Sequence, residues 1–393
     1  MTAINAEKKE LEARGHTVYV FSSAYPRSQE ARQKLARENI FPVKSCRVIG
    51  RGLTPIARRP GVVEREILSE HPEIREFDVF YVHYEAGCSI AGLRLAKKLG
   101  ILSVQVMHGR EDVGEEKLVP FGLRTIVAVC LNWFHSWYIP HLVRVKRDNY
   151  LAGTVARARM WSLMVNHANY TDVVITPSLH FREKLIYYGV VKPVHVLHHG
   201  IDDAKLVGEL KPTIYNNSRP LEIIWHSRIS GEKRVMEFLE ALKLAGEMGV
   251  EYHLSIYGEG VDEKKAKRYA IKNGLAVDFY GRVSMATLEK AIRKADLDVL
   301  VSYGYDTFGM TLIEAAEFGK PVLIADPELT EVLPRGSYKL TASPASADMA
   351  KALVEIYEHP EKIEKMSRAT LSARPDIRNS VKIKKLLQVF EKH

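Results

Sequence analysis

Cysteine is scarce in this chain of 393 residues, which contains three, Cys46, Cys88 and Cys130. Their number is odd, they are widely spaced and none belongs to a C-x-x-C pair, so the sequence predicts neither a disulfide framework nor a zinc knuckle. Low-complexity tracts and internal repeats of solenoid period are also lacking, which argues against repeat architectures. No signal-peptide pattern opens the chain, so we expect no cleaved leader and a cytoplasmic location.

The composition is that of a folded protein, with 46% hydrophobic and 27% charged residues. The length exceeds that of one ordinary core and predicts two domains. A net charge of +9 indicates an anionic partner, but charge alone does not choose among nucleotide phosphates, acidic lipids and nucleic acid. Because the cations are scattered and no zinc-finger, RNA-recognition or helix-turn-helix signature is present, we expect no nucleic-acid partner.

Apolar strands alternate with helices along the chain. Residues 77–84 and 101–107 are strand-like, and the helix between them ends at Gly100. The pattern starts afresh at Glu222, after a stretch rich in Pro, Asn and Ser. The sequence therefore predicts an α/β fold of two doubly wound Rossmann-like domains that face each other across a cleft. The predicted divisions are 1–210, 211–375 and a C-terminal helix, 376–393, whose apolar side would let it cross back to the N-terminal domain.

One turn carries most of the functional signal. The segment YDTFGMTLIEA follows an apolar strand and places Gly309, Met310 and Thr311 at the start of a helix. Free backbone N–H groups and the positive end of the helix dipole favour a phosphate there. Asp306 and Glu314 bracket the turn, and carboxylates suit the hydroxyls of a ribose or a sugar. An ordinary strand-to-helix turn is the alternative interpretation.

Two cations follow the first strand of the second domain. Arg228 ends the strand and Lys233 lies in the next loop, so both could neutralise a diphosphate leaving group at the carboxyl edge of the sheet. Taken singly, each fits a surface cation equally well. Gly258 and Gly260 form a further tight turn after the next strand, which is weak evidence by itself.

The order and spacing of HSRISGEKR, IYGEG, VDFYGRV and YDTFGMTLIEA resemble the C-terminal half of the retaining family-four glycosyltransferases, which have the two-domain GT-B architecture. The N-terminal half is similar more loosely, through LEARGHTVYVF and VMHG. The resemblance implies a hexosyltransferase that takes a nucleotide-diphosphate sugar as donor and requires no metal or other cofactor. It also implies that no side chain serves as nucleophile, so leaving-group stabilisation would drive the reaction.

The roles that the resemblance implies can be carried over residue by residue. Arg228 and Lys233 would bind the diphosphate, and Glu314 the ribose. Asp306 stands where the family usually has Glu and would contact hydroxyls of the transferred hexose. Gly258 and the backbone of residues 309–311 would bind the donor. His108, in VMHG, would face the sugar, although a capped histidine at a strand end explains it equally well.

The sequence also departs from the family pattern. The family's N-terminal domain opens with a strand and a glycine-rich loop, whereas this chain starts within the helix that follows them. Either the natural protein is longer, or this form is a catalytically impaired nucleotide-sugar-binding module.

Residues 125–143 contain no Asp, Glu, Lys or Arg and cluster four aromatic side chains between positions 133 and 138. Five cations follow at Arg144, Lys146, Arg147, Arg157 and Arg159. One interpretation is an interfacial segment that binds an anionic membrane surface through residues 118–160, at the inner face of the cell membrane. The other is a pair of buried helices whose aromatic residues pack as core. Similarity of this region to the acceptor region of diacylglycerol glucosyltransferases favours a lipid or lipid-linked acceptor, with a soluble sugar or polysaccharide as the alternative.

Overall fold

The computed structural model describes residues 2–22, 35–43, 45–46, 56–57, 59–84, 87–113, 119, 121–206 and 208–393. They form two compact units, the first made of Met1–Leu197 and Ile383–His393 and the second of His198–Lys382. Each unit contains its own parallel sheet flanked by helices. The predicted α/β fold with two Rossmann-like domains is confirmed.

The described strands of the first unit are β1 (Val20–Ser22), β2 (Ile40–Pro42), β3 (Ser45–Cys46), β4 (Ile56–Ala57), β5 (Val79–His83), β6 (Leu102–Val106), β7 (Val173–Thr176) and β8 (Val194–Val196). Its described helices are α1 (Thr2–Ala13), α2 (Pro60–Glu70), α3 (Cys88–Leu99), α4 (Arg124–Ser136), α5 (Val155–Tyr170) and α6 (Leu179–Tyr187). Strands β5 to β8 form a parallel sheet in that order, β1 pairs with β2 in parallel, and β3 pairs with β4 in an antiparallel bridge.

The sheet of the first unit is covered by both ends of the chain. Leu11 of α1 and Ile383, Leu386 and Val389 of the last helix pack into one buried cluster with Val104 of β6. Strand β7 is buried along its whole length, as expected for a parallel strand with helices on both faces. Burial of these apolar side chains is the main stabilising contribution to this unit.

The strands of the second unit are β9 (Leu221–His226), β10 (Tyr252–Tyr257), β11 (Val277–Gly281), β12 (Leu297–Leu300), β13 (Val322–Ile324) and β14 (Tyr338–Leu340). Its helices are α7 (Val235–Glu247), α8 (Glu263–Lys272), α9 (Met285–Lys294), α10 (Met310–Glu317), α11 (Ser346–Glu358) and α12 (Glu361–Ser372). The final helix, α13 (Asn379–Lys392), begins in this unit and continues into the first.

The six strands of the second unit are parallel and run in the order β11-β10-β9-β12-β13-β14. The first strand in the chain, β9, therefore lies beside the fourth, β12, and the strand order reverses between them. In doubly wound sheets a ligand binds outside the carboxyl ends of the strands at such a reversal. This topology places the predicted donor site after His226 and Leu300, the last residues of the two strands.

Residues just after the first unit are held by the second. Ile201 forms a parallel bridge with Arg378, and a Cβ added to Gly200 would lie 2.7 Å from the Cα of Asn379. Because of these backbone contacts the second unit begins at His198, and the boundary that we place at residue 210 lies inside it.

The two helices of the central region differ in burial. Trp161 and Met164 of α5 are fully buried, whereas Trp133 of α4 is 60% exposed and Trp137, which follows α4, is 55% exposed. The interpretation of this region as a buried helix pair is therefore right for α5 and wrong for the aromatic residues of α4. Helix α4 is anchored on its other side, where the side-chain amide of Asn132 donates to the carbonyl of Arg159 at 2.7 Å.

A chain of buried histidines attaches α4 to the sheet. His135 of α4 lies 2.7 Å from His141 and 3.0 Å from His167 of α5, between ring nitrogens. His167 in turn lies 3.2 Å from the side-chain oxygen of Gln105 in β6. Burial, reinforced by the neighbouring imidazoles, lowers the pKa of His135 to about 2 and that of His167 to about 3. Both rings are therefore neutral in the folded protein at neutral pH.

These neutral histidines predict that the first unit loses stability in mild acid. In the unfolded chain a histidine has a pKa of about 6.5, so below that pH the unfolded state binds protons that the folded state excludes. Between pH 7.5 and pH 5.5 each such histidine should lower the free energy of unfolding by about 1.4 kcal/mol. In His167→Gln, the loss over this range should be smaller than in the wild type by that amount, measured by urea unfolding followed through the buried Trp161.

The matched control is His359→Gln, since His359 is 53% exposed and lies in the second unit. It should leave the pH dependence of the first unit unchanged. An identical acid loss in His167→Gln and in the wild type would contradict the prediction.

Candidate functional site

An ion pair lies at the carboxyl edge of β9 and β12. Lys233 ends a short helical turn, Gly231–Lys233, and its Nζ lies 2.7 and 2.8 Å from the two carboxylate oxygens of Asp306. The Lys233 side chain is 11% exposed and that of Asp306 13%. The Ser302 hydroxyl also donates to Asp306, which fixes the carboxylate from the strand side. Two residues that the sequence places 73 positions apart thus form one charged unit.

Arg228 lies at the same edge but is more exposed. Its guanidinium donates to the Tyr305 hydroxyl at 2.9 Å, and its Nη2 lies 3.4 Å from Oε1 of Glu232. The side chain is 61% exposed, so its charge is accessible to a ligand. The Tyr305 ring also lies 5.5 Å from the Lys233 ammonium, so the phenol contacts both cations.

The loop that carries Arg228 is held by close backbone packing. Gly258 has φ +137°, and a Cβ added there would lie 2.2 Å from the carbonyl oxygen of Ser227. At Gly260 the corresponding distance, to the carbonyl oxygen of Ile229, is 2.1 Å. Only glycine tolerates such an approach. Close backbone packing therefore explains both glycines of the tight turn after β10. The donor-binding role of Gly258 stays a prediction.

Helix α10 starts at this edge with its first N–H groups uncapped by a side chain. Gly309 is the N-cap in a left-handed conformation, φ 71°, and a Cβ added there would lie 2.6 Å from Leu300. Met310 is 41% exposed, whereas Thr311 is buried. The arrangement presents backbone N–H groups and the positive end of a helix next to the strand ends, as the sequence predicts.

Glu314 follows one turn into α10 and contacts a buried histidine. Its Oε2 lies 3.2 Å from Nδ1 of His226, the last residue of β9. On its other side, Nε2 of His226 lies 2.7 Å from Oδ2 of Asp298 in β12. Burial acts to lower the pKa of His226, but the two carboxylates more than offset it and raise the pKa to about 10. The imidazole is therefore a cation at neutral pH, between one buried and one partly exposed carboxylate.

His108 lies in the first unit, just after β6. Its Nε2 is 2.8 Å from Nδ1 of His83, which ends the neighbouring strand β5, and the two rings stack with centroids 5.0 Å apart. The Tyr84 ring packs on His108 as well, at 4.9 Å. The structure thus places the predicted histidine at the carboxyl edge of its sheet, as one member of a histidine pair.

The second unit brings together Arg228, Lys233, Asp306 and the start of α10, all of which the sequence selects. Sequence reasoning did not select Tyr305, His226 and Asp298, and in the first unit it did not select His83. A usable signal existed for two of them, because His226 and Asp298 are titratable residues at buried positions of mostly apolar strands.

Two family models match the chain. Residues 4–205 match glycosyltransferase family 4, and residues 209–372 match the glycosyl transferases group 1 model.

Curated relatives match over shorter stretches. The chain is 34% identical over 82 residues to an alpha-galactosylglucosyldiacylglycerol synthase of Streptococcus pneumoniae, a stretch that covers 21% of each chain. It is 30% identical over 137 residues to a GDP-mannose-dependent alpha-(1-6)-phosphatidylinositol dimannoside mannosyltransferase of Mycobacterium tuberculosis, covering 34% of this chain and 35% of the relative. The matched stretches thus span about a fifth to a third of these relatives.

Solved structures resemble the whole chain. The crystal structure of Anabaena Alr3699/HepE in complex with UDP and glucose aligns with a TM-score of 0.68 and 14% identity, covering 100% of this chain and 95% of that one. The lipopolysaccharide outer core galactosyltransferase WaaB, in its apo form, aligns with a TM-score of 0.63 and 15% identity, over 100% and 95%. These likenesses show the fold. Since one family model alone covers more than half of its residues, the chain belongs to glycosyltransferase family 4.

Proposed function

We propose that this protein transfers a hexose, with retention of anomeric configuration, from a nucleotide-diphosphate sugar to a hydroxyl of a lipid or lipid-linked acceptor at a membrane surface. The observation that carries the proposal is the position of the Lys233–Asp306 pair. It lies at the reversal of strand order in the second unit, beside Arg228 and the uncapped start of α10. A diphosphate at that edge would meet two cations and a helix N-terminus.

The chemistry that follows is stabilisation of a leaving group. As the bond between the sugar and the diphosphate breaks, negative charge grows on the phosphate oxygens. An ammonium has three N–H donors, so Lys233 can hold Asp306 and still donate to a phosphate oxygen. Arg228 adds a second, more exposed cation, and the N–H groups at the start of α10 add neutral donors. The acceptor hydroxyl then attacks the anomeric carbon from the face that the nucleoside diphosphate leaves, and its proton passes to an oxygen of that leaving group, while the site holds both substrates in place.

Asp306 would set the position of the hexose. Its carboxylate is fixed by Lys233 and Ser302, and so presents its remaining lone pairs in a defined direction. Because Asp is one methylene shorter than the Glu usual in the family, a hexose hydroxyl must approach closer to the strand ends.

The exposed apolar surface of α4 is the basis for proposing a lipid acceptor. Ile126, Val129, Trp133 and Trp137 recur at helical spacing and are each more than 40% exposed. Leu142, 89% exposed, follows them. Contiguous exposed aromatic and aliphatic side chains are characteristic of a membrane or partner interface. The names of the two curated relatives, a diacylglycerol-lipid synthase and a phosphatidylinositol mannoside mannosyltransferase, support the same acceptor class.

Association with the membrane would be peripheral, at the cytoplasmic face. Within the described residues, every helix is too short or too polar to span a bilayer. The exposed cations Arg144, Lys146 and Arg147 adjoin the apolar surface of α4 in sequence, and would face anionic headgroups while the tryptophans enter the interface.

A donor screen by thermal unfolding tests the donor half of the proposal. UDP-, GDP- and ADP-sugars, together with the free nucleoside diphosphates, are titrated, so that any ligand that binds can reach about 100 times its dissociation constant. A ligand that binds only the folded protein then stabilises it by about 2.7 kcal/mol, which moves the midpoint by several degrees. At least one nucleotide class should do so, and Lys233→Ala should weaken the effect of the free nucleoside diphosphate more than that of the intact nucleotide sugar, because Lys233 acts on the charge that develops as the leaving group departs. If no nucleotide raises the midpoint, the donor assignment is wrong; if a nucleotide binds but no sugar is transferred to lipid or soluble acceptors, the catalytic assignment is wrong.

A further inference from the structure

Glu314 contacts a buried pair of charged residues, and folding alone does not explain why charged residues occupy those positions. His226 stands at the end of β9 with its side chain 1% exposed, and the side chain of Asp298 beside it is fully buried. The neighbours of the pair along the two strands are apolar: Ile224 and Trp225 in β9, Val299 and Leu300 in β12. A charged pair thus occupies two buried positions among side chains of the hydrophobic core.

Such a pair contributes little to stability, since the cost of removing two charges from water offsets most of their attraction. Apolar residues of similar volume would fill the same space at least as well. Asp298 is nevertheless well held, since its Oδ1 accepts the N–H of Val299 at 2.7 Å and its Oδ2 lies 2.7 Å from Nε2 of His226. The imidazole is therefore fixed from the core side and cannot turn without breaking that contact.

The other face of the imidazole meets Glu314. Nδ1 of His226 is buried and makes no well-aligned hydrogen bond among the described residues, although it lies 3.2 Å from Oε2 of Glu314. The Glu314 side chain is 30% exposed, so one carboxylate oxygen can face the imidazolium while the other is accessible to a ligand. A small rotation of the Glu314 side chain would align the N–H with its oxygen.

We propose that the buried Asp298–His226 pair is a positioning device that orients the Glu314 carboxylate towards the ribose hydroxyls of the donor nucleotide. This inference rests on the proposed function, and assigns to His226 and Asp298 a role that acts through Glu314. The imidazolium holds one Glu314 oxygen, and the second oxygen is then presented in a fixed direction. Without it, Glu314 would sample several rotamers, and its hydrogen bonds to the ribose would be weaker.

The test compares a nucleoside diphosphate with its 2′,3′-dideoxy analogue, using whichever of UDP and GDP binds the wild type more tightly. Two hydrogen bonds to a charged carboxylate predict that the wild type prefers the ribose form by about 100-fold or more. The double variant His226→Val with Asp298→Val removes both charges together, so that neither is left buried alone. It should lose at least about tenfold of this preference, while its affinity for the dideoxy nucleotide stays within about twofold of the wild type.

Two comparisons separate positioning from a general structural effect. Glu314→Gln should lose the same preference, and combining it with the double valine variant should cause no further loss, because both changes break one chain of contacts. His253→Val is the matched control: His253 lies between Glu222 and Asp278, at 2.9 and 3.1 Å, but at the start of β10. It should leave the preference unchanged. Should the double valine variant fail to fold, the imidazole ¹⁵N resonances of His226 in the wild type should still move on adding the ribose nucleotide and stay in place with the dideoxy form.

The possible outcomes distinguish failure of the proposed function from failure of the positioning role alone. Absence of any nucleotide binding by the wild type would defeat the proposed function itself. Binding without preference for ribose would remove the role of Glu314, and the inference with it. A wild-type preference that persists in the double valine variant, or histidine resonances that respond equally to both nucleotides, would overturn only the positioning role of His226 and Asp298.

Discussion

Replacing Lys233 with alanine should lower the turnover of the enzyme by about 10²- to 10³-fold, the usual effect of removing one group that stabilises developing charge. The Lys233 ammonium is largely buried beside Asp306, where water screens its charge less than at an exposed site. It would act on the phosphate oxygens as the leaving group departs, and much less on the intact donor. Steady-state kinetics should therefore show kcat and kcat/KM falling together, with KM for the donor little changed.

The matched control for this prediction is Lys339→Ala. Lys339 also pairs with a carboxylate, Glu355, and lies in the same unit on β14, outside the strand reversal. Its loss should leave turnover within about twofold of the wild type, as for an ordinary surface ion pair. If Lys233→Ala instead raises KM for the donor while kcat is retained, Lys233 serves binding alone and the leaving-group mechanism is wrong.

The sequence predicts most strands of the second unit, but not β14 or the helices α8, α11 and α12. The apolar runs EIIWH and LDVLV form strands because runs of this kind can only be buried between helices. Glycines at helix ends are equally local signals of where a helix stops. In the first unit, for example, Gly100 ends α3 with φ 69°. The predicted start of α10 at Gly309 and Met310 agrees with the structure for the same reason.

The site was predictable only where its residues lie in one local motif. Gly309 and Glu314 belong to a single turn and helix, and the loop of Lys233 follows directly from β9. The Lys233–Asp306 contact and the Asp298–His226–Glu314 chain join residues more than 70 positions apart. Such contacts depend on which strands become neighbours, and the single sequence does not specify that β12 lies beside β9. In the first unit, the pairing of His83 with His108 follows in the same way from the adjacency of β5 and β6.

Neutralising the three exposed cations after α4 should weaken binding to anionic vesicles by about 10²-fold. Each Lys or Arg near a membrane of this kind contributes about 1 kcal/mol, so Arg144→Gln, Lys146→Gln and Arg147→Gln together remove about 3 kcal/mol. The measurement is sedimentation with vesicles of phosphatidylcholine containing an anionic phospholipid, over a series of salt concentrations. Wild-type binding should weaken as salt rises, because the attraction between exposed charges and headgroups is screened.

A second triple variant tests whether the location of the removed charges matters, or only their number. Lys264, Lys265 and Arg268 on α8 are exposed cations of the second unit, and replacing all three with Gln changes the net charge equally. Val261 and Ile271 are exposed near them, but neither is aromatic, so loss of the three cations should reduce binding by less than about threefold. Trp133→Ala with Trp137→Ala should weaken binding at high salt as much as at low salt, since insertion of the indoles into the interface does not depend on screening. Equal losses in the two charge variants would mean that the attraction is non-specific electrostatics, and would contradict docking through the cations beside α4.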